Sequence, residues 1–342
     1  MSDTSPGNDL HDFVRSLPKA ELHLHIEGTL EPEHMLALAD RNGIKLRFAD
    51  AQAARDAYQF EDLQSFLDLY YEGMQVLRTE QDFRDLTFAY LERARADNVV
   101  HAEIFFDPQA HVSRGIPFEV VIEGIVAGLD EGEQSLGISS GLILCFLRDM
   151  PVDSAARTLA AARPYLEHVV GVGLDSAEVG YPPSLFADVF LEADRLGLRR
   201  VAHAGEEGPP SYIVEALDLL GAERIDHGIK TMEDPALVAR LAASRVPLTV
   251  CPLSNQRLMV TPDLSKHPLK EMLDAGLNAT INSDDPAYFG GYVGANFVAA
   301  AEQMRLDRSD LVRAARNSLE AAFCHSEATL RALRTLDAMP AT

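Results

Sequence analysis

The sequence predicts a single α/β domain over residues 1–342: a (β/α)8 TIM barrel with extra helices after its first strand. Three observations predict it. Eight short apolar or β-branched runs alternate with longer stretches of helical spacing, the pattern of parallel strands joined by helices. The chain has 342 residues, 47 % of them hydrophobic, enough for one barrel-sized core. Four of the later runs end in polar residues that an apolar core would not select, as at the mouth of a barrel. A doubly wound open sheet is the alternative. No Gly-rich dinucleotide fingerprint follows the first strand, so a nucleotide cofactor has little support.

The first strand is expected at 20–25, within AELHLHIEG. The connection from 26 to 98 is long for one strand-to-strand crossing and should hold additional helices. Within it, Phe60 to Leu67 is a candidate lid helix whose Leu63, Phe66 and Leu67 would pack on the barrel. A helix over 80–96 follows from the spacing of Phe83, Leu86, Tyr90 and Leu91. Strands are then expected at 99–106, 141–147, 169–175, 200–203, 224–227, 247–251 and 278–284, with a helix at 235–243. Residues 1–9, polar and acidic, read as a flexible N-terminal arm.

Fifty-three acidic residues against 30 basic ones give a net charge of −23. Such a protein repels nucleic acid and anionic membranes, and a small neutral or cationic substrate suits it better. Cys145, Cys251 and Cys324 are far apart, which argues for a reducing compartment and against a disulfide framework. No basic segment followed by an apolar one is seen in the first nine residues, and the longest apolar run, 141–147, is too short to cross a bilayer. A soluble cytoplasmic protein is expected; the oligomeric state is left open.

Side chains alternate along a strand, so His23 and His25 face the same way, towards the barrel mouth. Alone, a His-x-His is a weak signal. Later strands end in HAGEEG, IDHG, CPLSN and NSDDP, and the joint placement of polar groups there changes the weighting. Three imidazoles and a carboxylate, His23, His25, His203 and Asp284, make a suitable donor set for zinc. The metal would lower the pKa of a water at an open position towards roughly 7. His227 is then free to act as a base, Glu206 as an acid, and Asp285 as a hydrogen-bonding group for substrate. His101-Ala102-Glu103 matches half of a different zinc deaminase signature. No Pro-Cys-x-x-Cys accompanies it, so a structural role is expected there.

In order, HLHIEG, SAEVG, HAGEEGPP, RIDHG, CPLSN and NSDDP resemble the adenosine/adenine deaminase group of the amidohydrolase superfamily, from about Pro18 to the C-terminal helices. The resemblance implies a barrel with one catalytic zinc on His23, His25, His203 and Asp284. It implies Glu206 as proton shuttle, His227 as the water-activating histidine and Asp285 as the purine-binding aspartate. The fourth strand ends in Val172-Gly173-Leu174-Asp175 without the lysine that two-metal members use, which favours a single metal. Glu27 stands where adenosine-specific members usually carry Asp, and Glu178 where they tend to have Gly. Both departures are similar to the adenine deaminase branch and imply a reshaped sugar pocket, with Glu27 and Glu178 as substrate-binding residues. The expected reaction is adenine and water to hypoxanthine and ammonia. Deamination of adenosine or of an N6-substituted adenine, hydrolysis of a non-purine amide or lactone, and a non-enzymatic zinc-holding protein are the rivals.

Overall fold

The computed structural model describes residues 6–339. Eight parallel strands follow one another around a barrel in chain order: β1 (Lys19–Glu21), β2 (Val99–Phe106), β3 (Ser139–Leu147), β4 (Val169–Asp175), β5 (Arg199–Ala204), β6 (Arg224–His227), β7 (Pro247–Val250) and β8 (Asn278–Ile281). Helices cover the outside, and the apolar faces of strands and helices merge into one large core. Among the described residues no helix is long and apolar enough to cross a membrane. Residues 1–5 of the expected N-terminal arm lie outside the described residues, while 6–9 begin the helix Pro6–Ser16.

The first strand is shorter than the sequence suggests because its outer edge is completed by side chains. Asn282 Oδ1 accepts from Leu22 N–H at 2.9 Å, and Ser318 Oγ from Ala20 N–H at 3.0 Å. Regular ladder bonding is interrupted there, then resumes at the mouth. Asp284 N–H donates to His23 carbonyl at 3.1 Å, and His25 N–H to Asp284 carbonyl at 3.1 Å, closing the barrel. Glu21 strengthens the seam, accepting from Ser283 N–H at 3.1 Å and from Tyr90 OH at 2.8 Å. The last bonds of the barrel are thus made by the backbone of the residues of most chemical interest.

At the opposite end, His101 and Glu103 are structural. Arg224 donates to Glu103 at 2.6 Å, and His101 bonds Ser139 at 2.9 Å, all near strand starts. The long connection after β1 carries helices Pro32–Asn42, Ala51–Asp56 and Leu63–Gly73. Asp62 and Ser65 form a capping box that starts the last of these, so the expected lid segment begins its helix at Leu63.

Helices Glu80–Ala96 and Phe118–Leu136 pack closely because Gly124, Gly128 and Gly132 recur every four residues on the second. A Cβ at Gly128 would lie 2.7 Å from Thr87 Cβ and 2.8 Å from the Arg84 carbonyl. Overpacking of this kind costs about 1–3 kcal/mol. Gly128→Ala is expected to lower the midpoint of thermal unfolding accordingly.

Candidate functional site

The mouth of the barrel gathers His23 and His25 just after β1, His203 on β5, and Asp284 after β8. All four are buried, and one donor atom from each lies within 4.8 Å of the others. His23 Nε2 is 3.2 Å from Asp284 Oδ1, His25 Nε2 is 3.5 Å from the same oxygen, and the Nε2 atoms of His25 and His203 are 3.2 Å apart. Four donors each about 2.0–2.1 Å from a central ion in a tetrahedron stand about 3.3 Å from one another. The donor set and its spacing therefore fit a zinc-sized cation.

Hydrogen bonds decide which imidazole nitrogen faces inward. Thr249 Oγ1 donates to Asp226 Oδ1 at 2.8 Å, so it accepts from His23 Nδ1–H at 2.9 Å. His23 Nε2 therefore points inward, 3.2 Å from Asp284 Oδ1; burial lowers this imidazole, but the Asp284 carboxylate outweighs burial and raises it above the usual histidine range. Asp226 Oδ2 is 3.6 Å from His203 Nδ1, and Asp175 Oδ2 is 3.5 Å from His25 Nδ1. Each imidazole thus has a carboxylate behind it, the arrangement that orients metal-binding histidines. Burial, reinforced by neighbouring imidazole charges, holds His203 well below the usual histidine range and His25 at about 4. Burial raises Asp284, but the adjacent histidines outweigh it and keep the carboxyl ionised. Neutral imidazoles and an anionic carboxylate are the forms that bind a cation.

Beside this cluster, His227 Nε2 is 3.4 Å from Glu206 Oε2. Burial lowers His227 to about 3, and burial with the charges of Asp284 and Glu178 raises Glu206 well above the usual carboxyl range. The surroundings thus favour a neutral imidazole beside a protonated carboxyl. His267 takes Leu269 N–H on Nδ1 at 3.1 Å and donates from Nε2 to Asn255 Oδ1 at 3.1 Å. Asn255 in turn donates to Glu206 Oε1 at 3.3 Å, fixing the acid. His227 and Asp284 both have left-handed backbone, φ 62° and 63°. That uncommon conformation for a non-glycine residue turns each strand end towards the mouth. Asp285 Oδ1 is buried without a partner. It can approach this closely because residue 28 is glycine: a Cβ there would lie 2.0 Å from Asp285 Oδ1.

A cavity of about 40 Å³ lies over these groups, bounded by His25, His203, Glu206, His227, Asp284 and Asp285. Leu63, Phe66, Leu67, Tyr70 and Tyr71 roof it. The sequence-derived residues His23, His25, His203, Asp284, Glu206, His227 and Asp285 are brought together. Glu178 and Glu27 have other places. Glu178 Oε1 accepts from Gly205 N–H at 2.6 Å, and Oε2 from Glu206, Glu207 and Gly208 N–H at 3.1, 2.9 and 2.8 Å. Its carboxylate holds the loop that carries Glu206 and is no part of the cavity wall. Glu27 Oε1 takes His111 Nε2–H at 2.8 Å and Asp107 N–H at 3.1 Å, behind the wall.

The adenosine deaminase family model matches residues 18–339. The chain belongs to the adenosine deaminase family. An adenine deaminase from Streptomyces coelicolor is 61 % identical over 322 residues, 94 % of this chain and 95 % of that one. The crystal structure of adenine deaminase from Arthrobacter aurescens superposes with a TM-score of 0.92 at 54 % identity, covering 94 % of this chain and 98 % of that one. An amidohydrolase from Burkholderia ambifaria with bound zinc is 28 % identical, with a TM-score of 0.88 over 98 % and 94 % of the two chains. The family assignment agrees with the barrel and with a metal-binding cluster at its mouth.

Asp226, Thr249, Asn255 and His267 escape the sequence reading as site residues. Asp226 and Asn255 lie inside the quoted RIDHG and CPLSN motifs, so a signal existed for them. Nothing in the sequence marks Thr249 or His267. Glu178→Gln would turn an NH2 group against backbone donors, a loss of about 1–3 kcal/mol. We expect that variant to unfold at lower temperature and to exchange the amide hydrogens of 205–208 faster. A side chain whose sole task was substrate contact would leave both unchanged.

Proposed function

We propose that this member of the adenosine deaminase family converts adenine and water to hypoxanthine and ammonia, with one zinc per chain held by His23, His25, His203 and Asp284. The observation that carries this reading is Glu206 Oε2 3.4 Å from His227 Nε2 at the edge of the four-donor cluster, in buried surroundings that favour the protonated carboxyl and the neutral imidazole. An acid that protonates a ring nitrogen is what deamination of an aminopurine needs and has no task in lactone hydrolysis. The near-full-length similarity to adenine deaminases supports the choice of base.

Bound zinc supplies a Lewis acid that acidifies water at the mouth. The protein's own groups manage the protons. Glu206 donates to purine N1, which makes C6 electrophilic. His227 accepts one proton from the water as its oxygen bonds to C6, then passes that proton to the departing amine. The C6–N6 bond breaks and ammonia leaves. The remaining hydroxyl proton returns to Glu206 as the C6 carbonyl forms. Asp285 is left to hold N7. That lone pair only accepts, and burial with the Asp284 charge favours the protonated carboxyl that can donate. The aromatic and aliphatic roof excludes bulk water from these transfers.

A small neutral base suits a chain of net charge −23, and no nucleic-acid or membrane partner is proposed. Three unpaired cysteines support a cytoplasmic setting.

Incubation with adenine should yield hypoxanthine and ammonia in equal amounts. In the same assay Glu206→Gln is expected to lose about 10²–10⁴-fold in kcat or more while retaining its metal. Near-normal turnover would remove Glu206 from the mechanism. Metal analysis should find one zinc per chain in the native protein, and His25→Ala should lose both metal and activity. Two ions per chain at full occupancy would contradict the mononuclear site.

A further inference from the structure

Arg148 directly follows β3 and is fully buried, outside the cavity wall. Its guanidinium reaches two neighbouring strand ends. Nη1 donates to the His203 carbonyl, on β5, at 2.6 Å. Nε and Nη2 both donate to the Tyr181 carbonyl, in the loop after β4, at 2.9 and 2.6 Å. The backbone N–H of Arg148 donates to the Asp175 carbonyl at 3.0 Å and so continues the pairing of β3 with β4. One residue thus ties the ends of three strands.

Burying a guanidinium is costly, and its usual compensation is a carboxylate seated in its fork. The Arg148 fork is seated on backbone carbonyls instead. Burial disfavours the cation, and the charge of Glu178 opposes that effect. Glu178 belongs to the same loop: Tyr181 N–H donates to the Glu178 carbonyl at 3.2 Å. The segment 203–208 is therefore gripped at both ends by opposite charges. The Arg148 cation takes the carbonyl of His203, and the Glu178 carboxylate takes the N–H groups of residues 205–208. That short segment carries both the metal donor His203 and the acid Glu206. A planar guanidinium sets the His203 and Tyr181 carbonyls at one time, which the single point charge of an ammonium does not.

We propose that Arg148 is a positioning residue for the deamination: it fixes the backbone of His203 against the loop of Glu178, so that metal donor and acid keep one separation. This rests on the reading of His203 as a zinc ligand and Glu206 as the acid. Arg148 touches neither substrate nor metal, and its effect passes through these two residues.

The test uses Arg148→Lys, which keeps the charge, and Arg148→Gln, which keeps a donor without it. With zinc in excess, both should lose about 10- to 10²-fold in kcat for adenine, the cost of a small misplacement of catalytic groups. KM should stay within about threefold, since the side chain does not line the cavity and the lost interaction belongs to the transition state. Competition against a chromophoric zinc chelator should show zinc held about tenfold or more weakly, as for loss of a group that orients a ligand. That competition needs no turnover, so it separates failure of this inference from failure of the proposed reaction. A side chain that served only the fold would lower the unfolding temperature and leave kcat and zinc affinity as they were. Wild-type kcat in zinc-loaded Arg148→Lys, an unchanged zinc affinity, a loss confined to KM, or failure of both variants to fold would each overturn the proposal.

Discussion

The structure depends on a concentration of buried ligand atoms with no cationic side chain among them. His23, His25, His203 and Asp284 converge within 4.8 Å, and Asp285, Glu206, Asp107 and Asp175 border the same cavity. Burying carboxylates and imidazoles together is costly unless a cation and shared protons balance them. The surrounding protein is organised to sustain that balance. Asp226 serves two histidines, one directly and one through Thr249. The barrel seam is zipped by backbone bonds between His23, Asp284 and His25, so the donors and the closure of the fold stand or fall together.

A second layer of control is exerted on the acid. Four backbone N–H groups converge on Glu178, which fixes the turn 205–208 and hence the position of Glu206. Asn255, oriented by His267, holds one oxygen of that acid and leaves the other towards His227. Neither contact touches the reacting base. Both convert a loop residue into one with the geometric precision of a strand, which general acid catalysis requires.

Much of this was legible in the sequence, because strand periodicity places polar residues at barrel mouths by parity alone. His23, His25, His203 and Asp284 group by strand-end position in the sequence, as do Glu206, His227 and Asp285. What stayed hidden depends on three-dimensional partners. Strand β1 stops at Glu21 because side chains of Asn282 and Ser318, some 260–300 residues away, replace its ladder. Glu178 reads as a pocket residue when aligned by motif, yet its carboxylate turns towards N–H groups of a different strand end. Asp107 carries no motif signal, since an aspartate before proline is an ordinary helix start. Only its place in the cavity wall marks it.

The most direct measurement is X-ray absorption at the zinc edge of the purified protein. Cys251 lies with His227 and Asp284 in an adjacent candidate cluster that competes with the four-donor set on geometry. Burial and nearby carboxylates keep the Cys251 thiol protonated, which disfavours it as a ligand. The account predicts a single shell of nitrogen and oxygen at about 2.0–2.2 Å with imidazole scattering and no sulfur. A sulfur shell near about 2.3 Å, or a metal–metal vector, would contradict it.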